Sequence, residues 1–251
     1  MDLRIQRSVV SNLRTRPKAL EIGPFVAGLD PETESPFINY ASPVPGATIT
    51  AADVTALVTA FTDAGRKPRL EYVTTCSPGL EALLLGAGFT VEARNQYLIC
   101  SPATLTAPPR PTGFDLLEPQ TDPDRAAVVT AQNEAFGDFS DDPSEAAVAR
   151  VRRNQERGGV VLGARTTDGR WVGGGQADPP NHGLSEVAGI AVREQFRRRG
   201  LGAAITACIT RRLFERDVEV TWLEASGDDS WRVYERIGYV PSGHRLYIAK
   251  G

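Results

Sequence analysis

Apolar positions in the last third of the chain change from the spacing of a strand to the spacing of a helix across one short turn. Ser185–Val192 is mostly apolar and contains β-branched residues, which predicts a buried β-strand. Apolar residues then recur on one side of Gly200–Phe214, which predicts an amphipathic helix. The turn between them, Arg197–Gly202, holds three arginines and two glycines. Free N–H groups at the helix start, the helix dipole and the arginines together favour a bound pyrophosphate.

Similar patterns predict the other elements, in two groups separated by a proline-rich segment. In the first group the predicted helices are 1–19 (ended by Pro17), 51–64 and 78–86. The predicted strands are 20–29, 37–41, 70–74 and 89–99, the last being one long strand or a pair of strands. In the second group the predicted helices are 124–136, 144–157, 200–214 and 229–237. The predicted strands are 114–117, 160–165, 171–176, 185–192, 218–223 and 239–249, the last being one strand or more. Ser101–Pro111 has four prolines in eleven residues, which predicts an extended linker. We therefore expect one domain at 1–107 and another at 108–251.

Composition narrows the class of protein. The chain has 251 residues, of which 41% are hydrophobic and 24% charged, as in a globular protein with one large core or two small ones. A formal charge of -3 gives no indication of a nucleic-acid partner. No apolar run is long enough for a membrane helix, and the charged N-terminus is unlike a signal peptide. The three cysteines are widely spaced, so we expect a cytoplasmic protein without a metal site; the excess of arginine over lysine indicates a bacterial source.

The turn Arg197–Gly202, which follows a strand ending in Ala191-Val192, resembles the acetyl-CoA loop of the GNAT N-acetyltransferases, Gln/Arg-x-x-Gly-x-Gly/Ala. The order of the predicted elements from Pro111 to the C-terminus, β-α-α-β-β-β-α-β-α-β, is also similar to that family. The resemblance implies an α/β (α+β) protein with the GNAT fold, a mixed and mostly antiparallel sheet flanked by helices.

The resemblance also implies a site for acetyl-CoA as the acyl donor. In this family the strand before the loop diverges from its neighbour, so the backbone groups of Ile190, Ala191 and Val192 would bind the pantetheine arm, and one N–H would stabilise the oxyanion. Gly189 would allow the bulge that this divergence needs. A buried strand without a ligand is the other interpretation. The pyrophosphate is expected on a turn of seven residues. These are Arg197, Arg198, Arg199, Gly200, Leu201, Gly202 and Ala203.

Trp231–Tyr239 resembles the family's Tyr-x-x-x-Gly-Phe signature, in which Tyr234 would protonate the leaving thiolate. A phenol with a pKa near ~10 is protonated at neutral pH and can donate to a thiolate. The three-residue spacing of apolar positions in this helix equally suits a core aromatic. Asp229 and Ser230 are expected to cap the helix, and by resemblance they lie beside the cofactor's arm.

Two further sets of residues are candidates for handling an acceptor amine. Glu186, on the strand before the loop, is the candidate general base, with an ordered water as the alternative. Glu134, Phe136 and Asp138 stand where the resemblance implies an acceptor pocket. The two carboxylates can hold a cationic amine, or they can be solvated loop charges.

The first half of the chain contains a weak repeat of the second. Leu80–Ile99 aligns with Ser230–Ala249 at a constant offset of 150 residues, with Gly88 over Gly238. This indicates a truncated GNAT-like first half. Its loop, Pro43–Thr48, has no arginine and its prolines remove N–H donors, so we expect no acetyl-CoA there. We expect this half to support the other, within one chain or exchanged in a homodimer, and to fold poorly alone.

These features predict an enzyme that transfers an acetyl group from acetyl-CoA to a primary amine by direct attack in a ternary complex. The acceptor is expected to be a small molecule or a peptide, and no nucleic acid, membrane or metal is expected to take part. The alternative is a non-catalytic acyl-CoA-binding or regulatory module that has kept the cofactor site and lost the acceptor chemistry.

Overall fold

The structure is a computed structural model that describes residues 1–138, 143–225 and 227–251, without the side chains of Asp228 and Asp229. The α-helices are α1 (Asp2–Leu13), α2 (Ala51–Asp63), α3 (Leu80–Gly86), α4 (Asp122–Ala135), α5 (Glu145–Glu156), α6 (Leu201–Phe214) and α7 (Asp228–Arg236). The strands are β1 (Lys18–Ile22), β2 (Phe25–Leu29), β3 (Tyr40–Pro43), β4 (Arg69–Val73), β5 (Phe89–Cys100), β6 (Phe114–Leu117), β7 (Val160–Thr166), β8 (Trp171–Ala177), β9 (Leu184–Val192), β10 (Val220–Glu224) and β11 (Val240–Lys250).

The chain forms two compact units whose boundary differs from the predicted division at 107/108. The first unit consists of 1–97 and 242–251, and the second consists of 98–241. The chain therefore passes from one unit to the other within β5 and again within β11. The proline-rich segment 101–111 therefore lies wholly in the second unit. The predicted boundary was placed there because the composition of a segment does not show which strands pair on either side of it.

Strand β11 belongs to the first unit because of its pairing and its buried side chains. It runs antiparallel to β4, with Arg245 opposite Val73. Leu246 and Ile248 are fully buried in the core of the first unit, together with residues of β2, β4 and α2. The last ten residues of the chain therefore complete the fold that the first residues begin.

The sheet of the first unit has the strand order β1-β2-β3-β4-β11-β5. The predicted single strand 20–29 is wrong, because a turn at Gly23 (φ 53°) folds it into the antiparallel hairpin β1–β2. The predicted repeat has a structural counterpart: Gly88 (φ 85°) and Gly238 (φ 96°) each make a left-handed turn between a short helix and a long strand. That conformation favours glycine.

The sheet of the second unit has the order β10-β9-β8-β7-β6, antiparallel except for the parallel pair β9–β10. Gly174 and Gly175 show how the helices cover it. An added Cβ would lie 2.7 Å from Val128 Cγ1 of α4 at Gly174, and 3.1 Å from Ile205 Cγ2 of α6 at Gly175. Adjacent residues of a strand face opposite sides, so α4 and α6 cover opposite faces. The glycines let both helices lie close to the sheet.

None of the helices among the described residues has the length and apolar composition of a bilayer-spanning segment. The cytoplasmic location and bacterial source stay predictions.

Candidate active site

The parallel strands β9 and β10 pair over a short distance and then separate. Among the described residues their pairing runs from Leu184 to Glu186 of β9, although β9 continues to Val192. Gly189 has φ 65°, and the register between β9 and β8 shifts beside it. A bulge therefore lies at Gly189, as expected, and the end of β9 has a free side where β10 has diverged.

Backbone alternation decides which groups face the gap between β9 and β10. The Arg193 N–H donates to the Val172 carbonyl of β8 (2.9 Å). In an antiparallel ladder alternate residues bond to the same neighbour, so Ala191 also bonds towards β8, opposite Gly174. Ile190 and Val192 point their backbone groups the other way. Of the three residues predicted to bind the pantetheine arm, Ala191 is therefore used by the sheet, and Ile190 and Val192 face the gap.

Arg197 contacts two backbone carbonyls, and its predicted contact with pyrophosphate stays a prediction. Its Nε donates to the carbonyl of Val192 (3.0 Å) and its Nη2 donates to the carbonyl of Ala135 (2.9 Å). The guanidinium thus ties the end of β9 to the end of α4. Arginine suits this position because its donors diverge in a rigid plane and can hold two carbonyls at once.

The turn before α6 forms an open helix N-terminus. Gly200 caps α6 with φ 78°, and the Ala204 N–H donates to its carbonyl (3.0 Å). The N–H groups of Leu201 to Ala203 precede this first intrahelical bond and are those that a helix leaves for an outside acceptor. A Cβ at Gly200 would have no described heavy atom within 4 Å, and one at Gly202 would meet only Ile190 Cγ2, at 3.9 Å. An open helix N-terminus of this kind can bind an anionic group such as a pyrophosphate.

The other two arginines of the turn are exposed. The Arg199 guanidinium lies over the ring of Phe196, 5.5 Å from the centroid. The side chain of Arg198 is not tied down by a described hydrogen bond. Both can supply positive charge near the turn without forming part of its frame.

Two side-chain contacts join α4 to β9 beside the bulge. Gln132 Nε2 donates to the Gly189 carbonyl (2.7 Å). Arg193 Nη2 donates to Glu134 Oε1 (2.8 Å), and its Nη1 donates to the Trp171 carbonyl (2.7 Å). The Glu134 carboxylate is thus paired with an arginine that is largely buried, and its expected role in holding an acceptor amine stays a prediction.

The remaining predicted acceptor residues lie at the end of α4. Phe136 is 66% exposed, and Asp138 is also exposed. Residues 139–142, which follow them, lie outside the described residues. A cavity of about 430 Å³ lies elsewhere, along the first half of α4, where Pro123, Trp171 and Arg193 contribute to its wall. The role of Phe136 and Asp138 in acceptor binding stays a prediction.

Tyr234 lies on α7 with only 8% of its surface exposed. Burial raises the pKa of its phenol to about 12, so the hydroxyl stays protonated well above neutral pH. The predicted caps of this helix are wrong: Gly227 is the N-cap, and Ser230 Oγ donates to the Gly227 carbonyl (2.8 Å) from inside the helix. Asp229 also lies within α7, and its side chain is outside the described residues.

Tyr239, just after α7, fixes that helix against the sheet. Its fully buried hydroxyl hydrogen-bonds with Thr210 of α6 (2.6 Å) and with Thr221 of β10 (2.9 Å). The preceding Gly238 is required because an added Cβ would lie 1.8 Å from the Thr104 carbonyl oxygen. The glycine-aromatic part of the signature therefore positions α7, and with it Tyr234.

Glu186 occupies the last paired position before β9 and β10 separate, opposite Trp222. The residue is partly buried, and its carbonyl accepts a hydrogen bond from the Asp178 N–H (2.9 Å). A carboxylate at this point lies where the gap begins, and its role as the general base stays a prediction.

The sequence did not identify Gln132, Arg193 and Tyr239, whose hydrogen bonds hold neighbouring elements of the site together. Gln132 could have been found from the sequence, since it follows the buried Val128 by four positions and so lies on the inward side of α4. A polar residue in such a stripe needs a buried partner. The partners of Arg193 and Tyr239 come from distant elements and leave no local pattern.

Comparison with known proteins agrees with this geometry. The profile of the Acetyltransferase (GNAT) family matches residues 125–239, whereas curated protein sequences give no match. A GCN5-related N-acetyltransferase from Kribbella flavida is 25% identical, with a TM-score of 0.81 over 100% of this chain and 95% of that one.

Two further solved structures share the fold at lower identity. One is described as a putative acetyltransferase of the GNAT family from Novosphingobium aromaticivorans, with 20% identity and a TM-score of 0.60 over 99% of both chains. The other is a tandem GNAT protein from the clavulanic acid biosynthesis pathway, with 13% identity and a TM-score of 0.60 over 99% of this chain and 94% of that one.

Proposed function

We propose that this chain, whose residues 125–239 match the GNAT family of acetyltransferases, transfers an acetyl group from acetyl-CoA to a primary amine. The observation that supports this most is that two features of the second unit follow each other along the chain. The gap beside Ile190 and Val192 leads along β9 to the open N-terminus of α6 at Gly200. An arm bearing amides suits the first feature and a pyrophosphate suits the second.

The backbone of β9 would orient the thioester. The Ile190 N–H faces the gap next to the bulge, so it can donate to the carbonyl oxygen as that oxygen becomes negative in the tetrahedral intermediate. Gln132 holds the Gly189 carbonyl and Arg197 holds the Val192 carbonyl, which fixes the strand on both sides of this donor. Donors fixed before the reaction stabilise charge without reorganisation.

The transfer needs one base and one proton donor. The amine nitrogen attacks the thioester carbon, the C–S bond breaks, and one N–H proton leaves to Glu186 or to an ordered water. Tyr234 would donate a hydrogen bond to the thiolate as it leaves, and the thiolate then takes up a proton. With its pKa raised to about 12, the phenol is present as the donor throughout the neutral range.

The test is release of free thiol from acetyl-CoA by the full-length protein against a panel of primary amines, including polyamines, aminoglycosides, amino acids and peptides. We expect amine-dependent thiol release for at least one class. Tyr234→Phe should lower kcat by ~10²-fold or more with little change in acetyl-CoA affinity. Tight acetyl-CoA binding without turnover on any amine would contradict the proposal and favour a non-catalytic acyl-CoA-binding module.

A further inference from the structure

The first unit contains a second place where parallel strands separate, and a side chain of the N-terminal helix fills it. Strands β3 and β4 are parallel, and Ala41 of β3 pairs with Leu70 of β4. Beyond that pair, Ser42 Oγ reaches across to donate to the Glu71 carbonyl (2.8 Å). A side chain therefore takes the place of a direct backbone bond between the strands. The arrangement has the same strand order and direction as the gap between β9 and β10.

Gln6 of α1 completes this bridge. Its Nε2 donates to the Pro43 carbonyl of β3 (2.8 Å) and to Ser42 Oγ (2.7 Å), and its Oε1 accepts from the Val73 N–H of β4 (2.8 Å). Gln6 is fully buried on the inward face of its helix, next to Ile5. A buried polar side chain that satisfies the backbone of two separate strands is unusual, and removing it would leave those groups without partners.

The group bound between β3 and β4 is an amide. The Gln6 amide donates an N–H to a carbonyl of β3, and its oxygen accepts from an N–H of β4. Each amide of a pantetheine arm also has one N–H donor and one carbonyl acceptor. We propose that Gln6 is a built-in substitute for the pantetheine amide, so that the first unit retains an acyl-CoA-type gap which the chain's own helix α1 keeps closed. This inference rests on the proposed function only for the identity of the ligand that the gap resembles.

The end of the same gap is closed by a second feature. Helix α2 follows β3 as α6 follows β9, but its N-terminus carries a capping box. The Thr50 hydroxyl accepts from the Asp53 N–H (3.3 Å), and Asp53 Oδ2 accepts from the Thr50 N–H (2.8 Å). Hydrogen bonds from Thr50 lower the pKa of Asp53, so a carboxylate stands where a pyrophosphate would bind and repels it.

Chemical rescue tests the proposal on the full chain. Gln6→Ala leaves room for one small amide, whereas Gln6→Met fills the same room without offering an amide. Arg7→Ala is the matched control, because Arg7 is an exposed residue of the same helix. Melting curves of each variant are recorded with no addition, with acetamide, and with pantetheine.

Gln6→Ala should lower the melting temperature by about 5 °C or more, and acetamide should change the melting temperature of Gln6→Ala more favourably than that of the wild type. Pantetheine is the size control: it is too long for the vacated space while α1 covers it, so it should favour Gln6→Ala no more than the wild type. Gln6→Met and Arg7→Ala should gain no more from the amides than the wild type does. Equal effects of acetamide on Gln6→Ala and wild type would overturn the proposal. The readout requires no acetyl transfer, so its failure is distinct from failure of the proposed function.

A second measurement covers the case in which Gln6→Ala does not fold. Hydrogen exchange followed by NMR in the wild type should show the Val73 amide as slow as its neighbours in the paired core of β4. A Val73 amide that exchanges as fast as an exposed loop would overturn the proposal, because the bond to Gln6 would then be absent.

Discussion

Truncating Ile248 to alanine should destabilise the first unit, although this residue lies at the opposite end of the chain from most of that unit. Ile248 is fully buried in the core formed with Phe25, Leu57 and Tyr72. Large-to-small substitutions at such sites cost about 2–5 kcal/mol, from lost burial and from the cavity left behind. For a unit of this size that is a large share of the total stability. His244→Ala is the control, since His244 is an exposed position of the same strand.

Hydrogen exchange with peptide-level mass spectrometry locates the effect. Ile248→Ala should increase exchange in β2, β3 and β4 more than in β7 and β8, and His244→Ala should change neither set. Urea unfolding followed by tryptophan fluorescence gives a second view, because Trp171, Trp222 and Trp231 all lie in the second unit. Faster exchange confined to residues 98–241 would refute the assignment of β11 to the first unit.

Three further predictions follow from individual contacts. Gly238→Ala should be strongly destabilising in thermal melts, because of the clash with the Thr104 carbonyl and the positive φ, whereas Gly86→Ala, which has open space, should be close to neutral. Because the pKa of Tyr234 is raised to about 12 in the folded state, its neutral phenol adds to the free energy of unfolding below pH ~10, and this contribution is lost between pH ~10 and about 12. Over that range, urea titrations should show the free energy of unfolding falling by about 2 kcal/mol less in Tyr234→Phe than in wild type. An isolated 1–107 fragment lacks β11 and should show no cooperative melt by circular dichroism; a cooperative monomeric melt would contradict the shared core.

Features that depend on local pattern could be predicted from the sequence. The strand, turn and helix around Gly200 follow from a change in apolar spacing and from the conformational freedom of glycine. The bulge at Gly189 and the left-handed turn at Gly238 have the same local origin. The GNAT fold could be inferred because both the sequence of the loop and the order of the elements can be recognised from the amino-acid sequence.

Features that depend on distant pairing could not be predicted. Nothing in the apolar pattern of 239–249 shows that β11 pairs with β4, so the boundary at 107/108 missed the last strand of the first unit. Arg197 was expected to contact phosphate and Glu134 an amine, since charge suggests a ligand when its partner is unknown. Both groups have protein partners that no local pattern reveals: Arg197 donates to the carbonyls of Val192 and Ala135, and Glu134 pairs with Arg193.

The most direct test of the central claim is the number and location of acetyl-CoA sites, measured by calorimetry on the full-length chain. One site per chain is expected. Gly202→Glu should weaken binding at least about tenfold, because it places a carboxylate in open space beside the pyrophosphate donors, and the neutral Gly202→Gln should bind more tightly than Gly202→Glu. Two sites in the wild type, or equal affinity of Gly202→Glu and wild type, would contradict the assignment of acetyl-CoA to the turn before α6.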